Sequence, residues 1–158
     1  MSRRSSTLLM ICLFCAVAYI LLRYYVKPAS NTTIVQSKLS EFDIKLLFEK
    51  DPIVMEEQIV QPKQLLDAYF KYLYSYKTHP RPDNKWHQNK ARYLIIHNAQ
   101  FVHIAHPSNK GDPTPNYVDI RVQPNQVIIL PSLWLYKVKG GTLTALYDIP
   151  SIILTPFV

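Results

Sequence analysis

Glycine is scarce: three occur in 158 residues, and two of them are the adjacent Gly140-Gly141. A loop that cradles phosphate needs several glycines ahead of a helix, so nucleotide-binding loops of that kind are excluded and the Gly-Gly pair reads as a turn. Cysteine is scarcer still, with Cys12 and Cys15 the whole complement. The chain beyond residue 27 can therefore hold neither a disulfide nor a cysteine metal centre, which favours a reducing compartment. No Gly-x-Ser-x-Gly, His-x-His, His-x-Asp or His-x-Glu occurs anywhere. That removes the nucleophile elbow and the common short metal-ligand pairs.

Positive charge is present but not concentrated. The formal net charge is +7, of which Arg3, Arg4, Arg23 and Lys27 supply four, leaving +3 for the rest of the chain. Beyond residue 27 the two signs are mixed along the sequence rather than gathered in a patch, which speaks against nucleic acid as a partner. The basic residues near the N-terminus instead flank the longest apolar run, TLLMICLFCAVAYILL at 7–22. A bilayer core of about 30 Å takes roughly 20 helical residues. Counting to Val26 reaches that length if Arg23 snorkels and Tyr24 and Tyr25 sit at the interface. The expectation is a single transmembrane anchor over 7–26 that contacts the lipid bilayer. A cleaved secretory signal is the alternative: Ala16-Val17-Ala18 fits a cleavage site, but the apolar run continues beyond it. Two basic residues on each flank leave the orientation open. The sequon Asn31-Thr32-Thr33 lies too near the anchor to decide it.

Residues 28–39 are polar and aperiodic, as in a juxtamembrane linker. A domain over 40–158 follows, with helices expected at about 41–49 and 62–76. Ser40-Glu41-Phe42-Asp43 suggests a capping box for the first. The second starts with Pro62, and its Leu65, Tyr69, Phe70 and Leu73 recur at helical spacing to cover one face of a sheet. Short strand patterns then take over. Tyr93–His97 and Phe101–Ala105 flank Asn98-Ala99-Gln100, which reads as a hairpin turn. Val118, Ile120 and Val122 alternate and are expected to point inward. Residues 127–130 are apolar without a break, as in a central strand covered on both faces, with Trp134 packed beneath the sheet. Trp134, Tyr136 and Val138 alternate up to Gly140-Gly141, a second hairpin signal. The tail 152–158 reads as a last strand or a packed terminal segment. The fold class is α+β, mainly β: a transmembrane helix, then a curled antiparallel β-sandwich or partial barrel flanked by helices.

Residues 122–134, VQPNQVIILPSLW, resemble the strand-turn-strand of cupin-like and JmjC-like domains, and 51–56, DPIVME, resemble their opening strand. Together with an anchor ahead of the domain, the arrangement is similar to small membrane-anchored proteins of nucleocytoplasmic large DNA viruses. The resemblance covers about 41–147. It implies a cupin-like scaffold, a viral virion or membrane component, and residence in an internal host-cell membrane or the virion inner membrane. It also departs from those families where metal is held. Tyr136 stands at the distal ligand position, and His103-Ile104-Ala105-His106 replaces His-x-His, so the families' ligand set does not carry over.

Four residues remain as candidates for a mononuclear metal site: His97, His103, His106 and Asp119, brought together if the 93–105 hairpin sets His97 beside His103. Glu56-Glu57 is the one carboxylate pair, and adjacent strand residues diverge. With no cofactor, small-molecule substrate or catalytic set in view, the expected function is a non-enzymatic, membrane-anchored structural or interaction protein with a protein partner. The alternative is a metal-dependent oxygenase or hydrolase using those histidines or Asp119.

Overall fold

Every residue of Val127–Pro131 is buried, and the rest of the fold is layered around this strand. The computed structural model describes residues 3–26, 33–56, 75–79, 83–124 and 126–154. Within them, six strands make one sheet, sheet A: β1 (Val35–Ser37), β2 (Ile53–Met55), β3 (Ser75–His79), β5 (Tyr93–His97), β8 (Val127–Pro131) and β10 (Thr142–Tyr147). Their spatial order is β1-β2-β8-β5-β10-β3. Sheet B has four: β4 (His87–Gln88), β6 (Phe101–Ala105), β7 (Tyr117–Arg121) and β9 (Leu135–Lys139), in the order β4-β9-β6-β7. Sheet A is mixed, because β1 runs parallel to β2 with Val35 opposite Ile53. The remaining pairs are antiparallel.

The two sheets face each other across one core. Val54, Leu94, Ile96, Ile128, Leu130 and Leu143 of sheet A meet Val102, Ile104, Tyr136 and Val138 of sheet B, with Trp134 among them. The opposite face of sheet A has its own apolar cluster. There Ile53, Met55, Tyr93, Ile95, Val127 and Ile129 pack against Phe42 and Leu47. Each such side chain contributes roughly 1.5–3 kcal/mol on burial. Sheet A thus lies between two cores, which is why β5 and β8 are apolar at successive positions rather than at alternate ones.

The helix α2 (Ile44–Glu49) provides that second cover. It begins later than a capping box at Ser40 implies: 39–41 form a 3-10 turn, and the cap is Asp43, whose side chain accepts from Lys45 N at 3.0 Å. At its other end two core aromatics satisfy carbonyls that a helix terminus leaves open. Tyr93 Oη donates to Leu47 O at 3.3 Å, and Trp134 Nε1 donates to Lys50 O at 2.8 Å. Residues 62–74 of the second expected helix lie outside the described residues, and Ser75 and Tyr76 already belong to β3. Of the expected tail segment, residues 152–154 belong to a helix, α3 (Ile149–Leu154), and residues 155–158 lie outside the described residues. The helix is opened by Asp148, whose carboxylate accepts from Ser151 N at 2.9 Å.

The N-terminal segment requires a correction. Residues Arg3–Val26 form a helix, α1, with Leu8, Phe14 and Ile20 largely exposed. Among the described residues, however, no helix is long and apolar enough to cross a membrane. The mostly apolar run at 7–22 is sixteen residues. At about 1.5 Å per residue it spans roughly 24 Å, short of the ~30 Å hydrocarbon core. Arg23 does not extend it, since its guanidinium folds back over the Tyr19 ring, 5.8 Å from the centroid. The single-pass signal-anchor over 7–26 and the membrane localisation built on it are therefore overturned.

Both expected hairpins are also absent. β5 is hydrogen-bonded between β8 and β10, while β6 lies between β9 and β7, so the turn at Asn98-Ala99-Gln100 carries the chain from one sheet to the other. Gly140-Gly141 likewise joins β9 of sheet B to β10 of sheet A. The physical reason is burial: β5 is buried at four successive positions and needs cover on both faces, whereas β6 has an open outer face at Phe101 and His103. Strands with such different requirements belong in different layers. The two arches stack, with Gln100 N donating to Lys139 O at 3.0 Å. Val118 is 39% exposed rather than inward-packed, because β7 is the edge strand of sheet B and overhangs the core.

A third corner, from β8 to β9, is fixed by the buried Asn89. Its Nδ2 donates to Leu130 O at 2.9 Å and Pro131 O at 2.8 Å, and its Oδ1 accepts from Ala91 N at 3.0 Å. Its own backbone N donates to Trp134 O, and its O accepts from Leu133 N, at 2.8 and 2.7 Å. Leu133 has φ +75° there.

Two substitutions test this account by urea unfolding. Asn89→Ala strands two carbonyls and one amide in the interior and is expected to cost about 3 kcal/mol or more, at about 1–3 kcal/mol per buried group left unpaired. At Gly141 (φ +83°) an added Cβ would stand 2.6 Å from both His97 O and Ala99 N, whereas at Gly111 (φ +90°) it meets nothing within 4 Å. Gly141→Ala is therefore expected to cost at least about 3 kcal/mol, and Gly111→Ala only the backbone strain of about 1 kcal/mol.

Candidate functional site

The outer face of sheet B is composed by register. In β6, Val102 and Ile104 belong to the core between the sheets, and alternation puts Phe101, His103 and Ala105 on the other face, where Ala105 is also buried. Phe101 pairs with Arg121 on one side and Lys139 on the other, His103 with Asp119 and Lys137, and Ala105 with Tyr117 and Leu135. The outer face therefore reads, row by row, Arg121-Phe101-Lys139, Asp119-His103-Lys137 and Tyr117-Ala105-Leu135. Trp86, just ahead of β4, lies across the third row with its ring 5.7 Å from Tyr117 and 6.4 Å from His103. His103 meets Tyr117 edge-on at 4.7 Å. Tyr117 is nevertheless 55% exposed.

Three cations share this face, and none of Arg121, Lys137 and Lys139 is paired with a carboxylate among the described residues. The one acid on it, Asp119, places Oδ1 3.5 Å from His103 Nδ1. That nitrogen is buried and makes no hydrogen bond among the described residues. The loop that delivers Trp86 is held by Asp83, whose Oδ1 accepts from Lys85 N at 3.2 Å and contacts His87 Nε2 at 2.7 Å. The His87 contact holds the exposed Asp83 carboxyl below its ordinary pKa.

The residues singled out from sequence scatter. His97 ends β5 in sheet A, opposite Val127 and Thr142, and does not join His103. His106 follows β6 and turns to Trp134, edge-on at 5.4 Å, while its Nδ1 contacts Ser108 Oγ at 2.8 Å. It lies near Asp51, whose carboxyl is raised by burial and by Glu49, with His106 partly offsetting them. Only His103 and Asp119 come together. Among the described residues, no three His, Cys, Asp or Glu side chains group so as to hold a metal ion. Tyr136 is buried, and burial, then Tyr147 and Asp83, push its phenol up, so it stays protonated at neutral pH. Glu56 is exposed past the end of β2, and Glu57 lies outside the described residues.

Sequence reasoning missed Phe101, Tyr117, Lys137, Lys139, Arg121 and Trp86 as members of one surface. The alternation that marks Tyr136 and Val138 as inward marks Lys137 and Lys139 as outward, and the same holds for Tyr117 and Arg121 in β7. What the pattern lacks is the pairing of β6 with β9.

No family model matches the chain, and no curated protein matches it. The viral assignment accordingly has no support from relatives, and the site is read from its own chemistry.

Burial lowers the His97 pKa below its ordinary 6.5, so the unfolded chain binds this proton more readily than the folded one. Stability is therefore expected to fall as pH drops through about 6.5, and His97→Gln should flatten that slope in urea midpoints measured across the range.

Proposed function

We propose that this chain is a binding module without catalytic chemistry of its own, and that its working surface is the outer face of sheet B. The observation that carries this reading is the contrast between the two sheets. Sheet A is covered on both sides, by sheet B and by the α2 region, whereas the outer face of sheet B presents aromatic rings beside three unpaired cations. Aromatic rings held on paired strands lose little conformational entropy when a partner docks, and unpaired cations beside them add electrostatic attraction, which together favour binding. Catalysis would need a nucleophile-base pair or a metal group, and the candidate histidines are divided between two sheets and a loop.

Site-specific photocrosslinking tests the assignment. A benzophenone side chain at position 117 is expected to give adducts with cellular partners, and the same group at the half-exposed Phe48 on α2 is expected to give few. Equal labelling from both positions, or none from position 117, would sink the reading.

A further inference from the structure

Resting on that reading of the sheet B face, we infer that its ligand is a single-stranded nucleic acid. Two ladders run side by side across the face. On β6, Phe101 and His103 are two residues apart, and on the neighbouring β9 the paired residues are Lys139 and Lys137. Alternate residues of a strand repeat at roughly 6.6 Å, and adjacent strands lie about 4.8 Å apart. A row of rings thus runs beside a row of ammonium groups with the same pitch. The polymer that matches places one planar ring and one anion in every repeat, which describes a single strand with unstacked bases and a phosphate backbone.

The flanks agree. Arg121 flanks Phe101 on the β7 side, so the ring has a cation on each side, Arg121 and Lys139. Tyr117, steadied by Trp86 and His103 yet more than half exposed, adds a fixed ring for a further base. Among the described residues Asp119 is the one acid on this face, and it stands across His103 from Lys137, so no described carboxylate faces the β9 ladder there. Along the sequence the charges are mixed and form no patch, which argues against nucleic acid. The register of three strands removes that ground by placing residues 121, 137 and 139 together. A duplex buries its bases and offers the rings nothing to stack on, and an acidic polypeptide offers charge without a ring in each repeat.

The test uses the full chain, kept dispersed in a non-ionic detergent because α1 exposes apolar side chains. Fluorescence anisotropy of labelled oligothymidylate and oligouridylate of about a dozen nucleotides is measured against salt. Three phosphate contacts predict a log-log slope near −2, at about −0.7 per contact. The Lys137→Gln/Lys139→Gln double variant should reduce that slope by about 1.4. Tyr117→Ala and Phe101→Ala should each weaken binding by about fivefold or more while leaving the slope unchanged. Unaltered urea midpoints in the exposed Tyr117→Ala variant separate lost stacking from lost folding. Failure to bind either oligomer at low salt would overturn the inference. So would binding indifferent to both ring substitutions, or equal binding of duplex DNA, polyglutamate or heparin. If position 117 still crosslinks to partners in nuclease-resistant adducts, the binding-module reading stands and only the ligand assignment falls.

Discussion

The side chain of Asn89 makes three hydrogen bonds, both amide donors included, at the corner where the chain leaves sheet A for sheet B. Two carbonyls at the end of β8 and one amide near β5 converge on it, and its backbone ties down Leu133 and Trp134. Leu133 adopts a left-handed backbone conformation that a leucine ordinarily avoids, and this clamp holds it there. The rest follows from that corner. Trp134 is aimed inward, its indole nitrogen reaches Lys50 O, and α2 is thereby held over sheet A. Beyond Trp134, β9 takes the register that sets Lys137 beside His103 and Lys139 beside Phe101. One buried amide therefore governs both the cover on the first sheet and the composition of the exposed face on the second.

Charge is partitioned by the same layering. Glu41, Asp43, Glu49, Asp51 and Glu56 outnumber Lys45 and Lys50 in the segment that carries α2 and β2, while Arg121, Lys137 and Lys139 outnumber Asp119 on the outer face of sheet B. A chain whose overall balance looks diffuse thus has an acidic segment over one layer and a cationic outer layer. The field near the sheet B face attracts anions more strongly than the net charge implies.

Legibility in the sequence tracks how local each determinant is. The burial of β8 is legible because its apolar run has no break, and the inward faces of β6 and β9 are legible from alternation. The arches are not, because Asn98-Ala99-Gln100 and Gly140-Gly141 carry the same turn chemistry whether the flanking strands pair with each other or part into two layers. Nor is the role of Asn89, since a single polar residue among Trp86, His87, Gln88 and Lys90 gives no periodic signal of a buried clamp. The helical character of α1 is evident from its composition, but its apolar length depends on which way Arg23 turns, and the side chain turns back onto Tyr19. For the site, His103 and Asp119 are legible as residue types. Their companions are not, because Arg121, Lys137 and Lys139 become neighbours of β6 residues only through pairings between separated segments.

The arches also shape how the molecule must form. β5 hydrogen-bonds to β8 and β10 rather than to β6, and β9 bonds to β6 and β4 rather than to β10. No two described strands joined by a tight turn are ladder partners, and the connection from β6 to β7 spans residues 106–116. Hairpin zippering, the fast local route by which many sheets begin, is thus unavailable to these strands. Segments more than thirty residues apart, such as β5 and β8 or β4 and β9, must meet before either sheet exists, and the loop entropy is spent before the contacts repay it. Such a chain belongs with slow-folding β proteins, on a scale of milliseconds to seconds. Until the strands close, the apolar segments of β5 and β8 are open to other chains, which makes dilution and early burial matter more for its production than final stability.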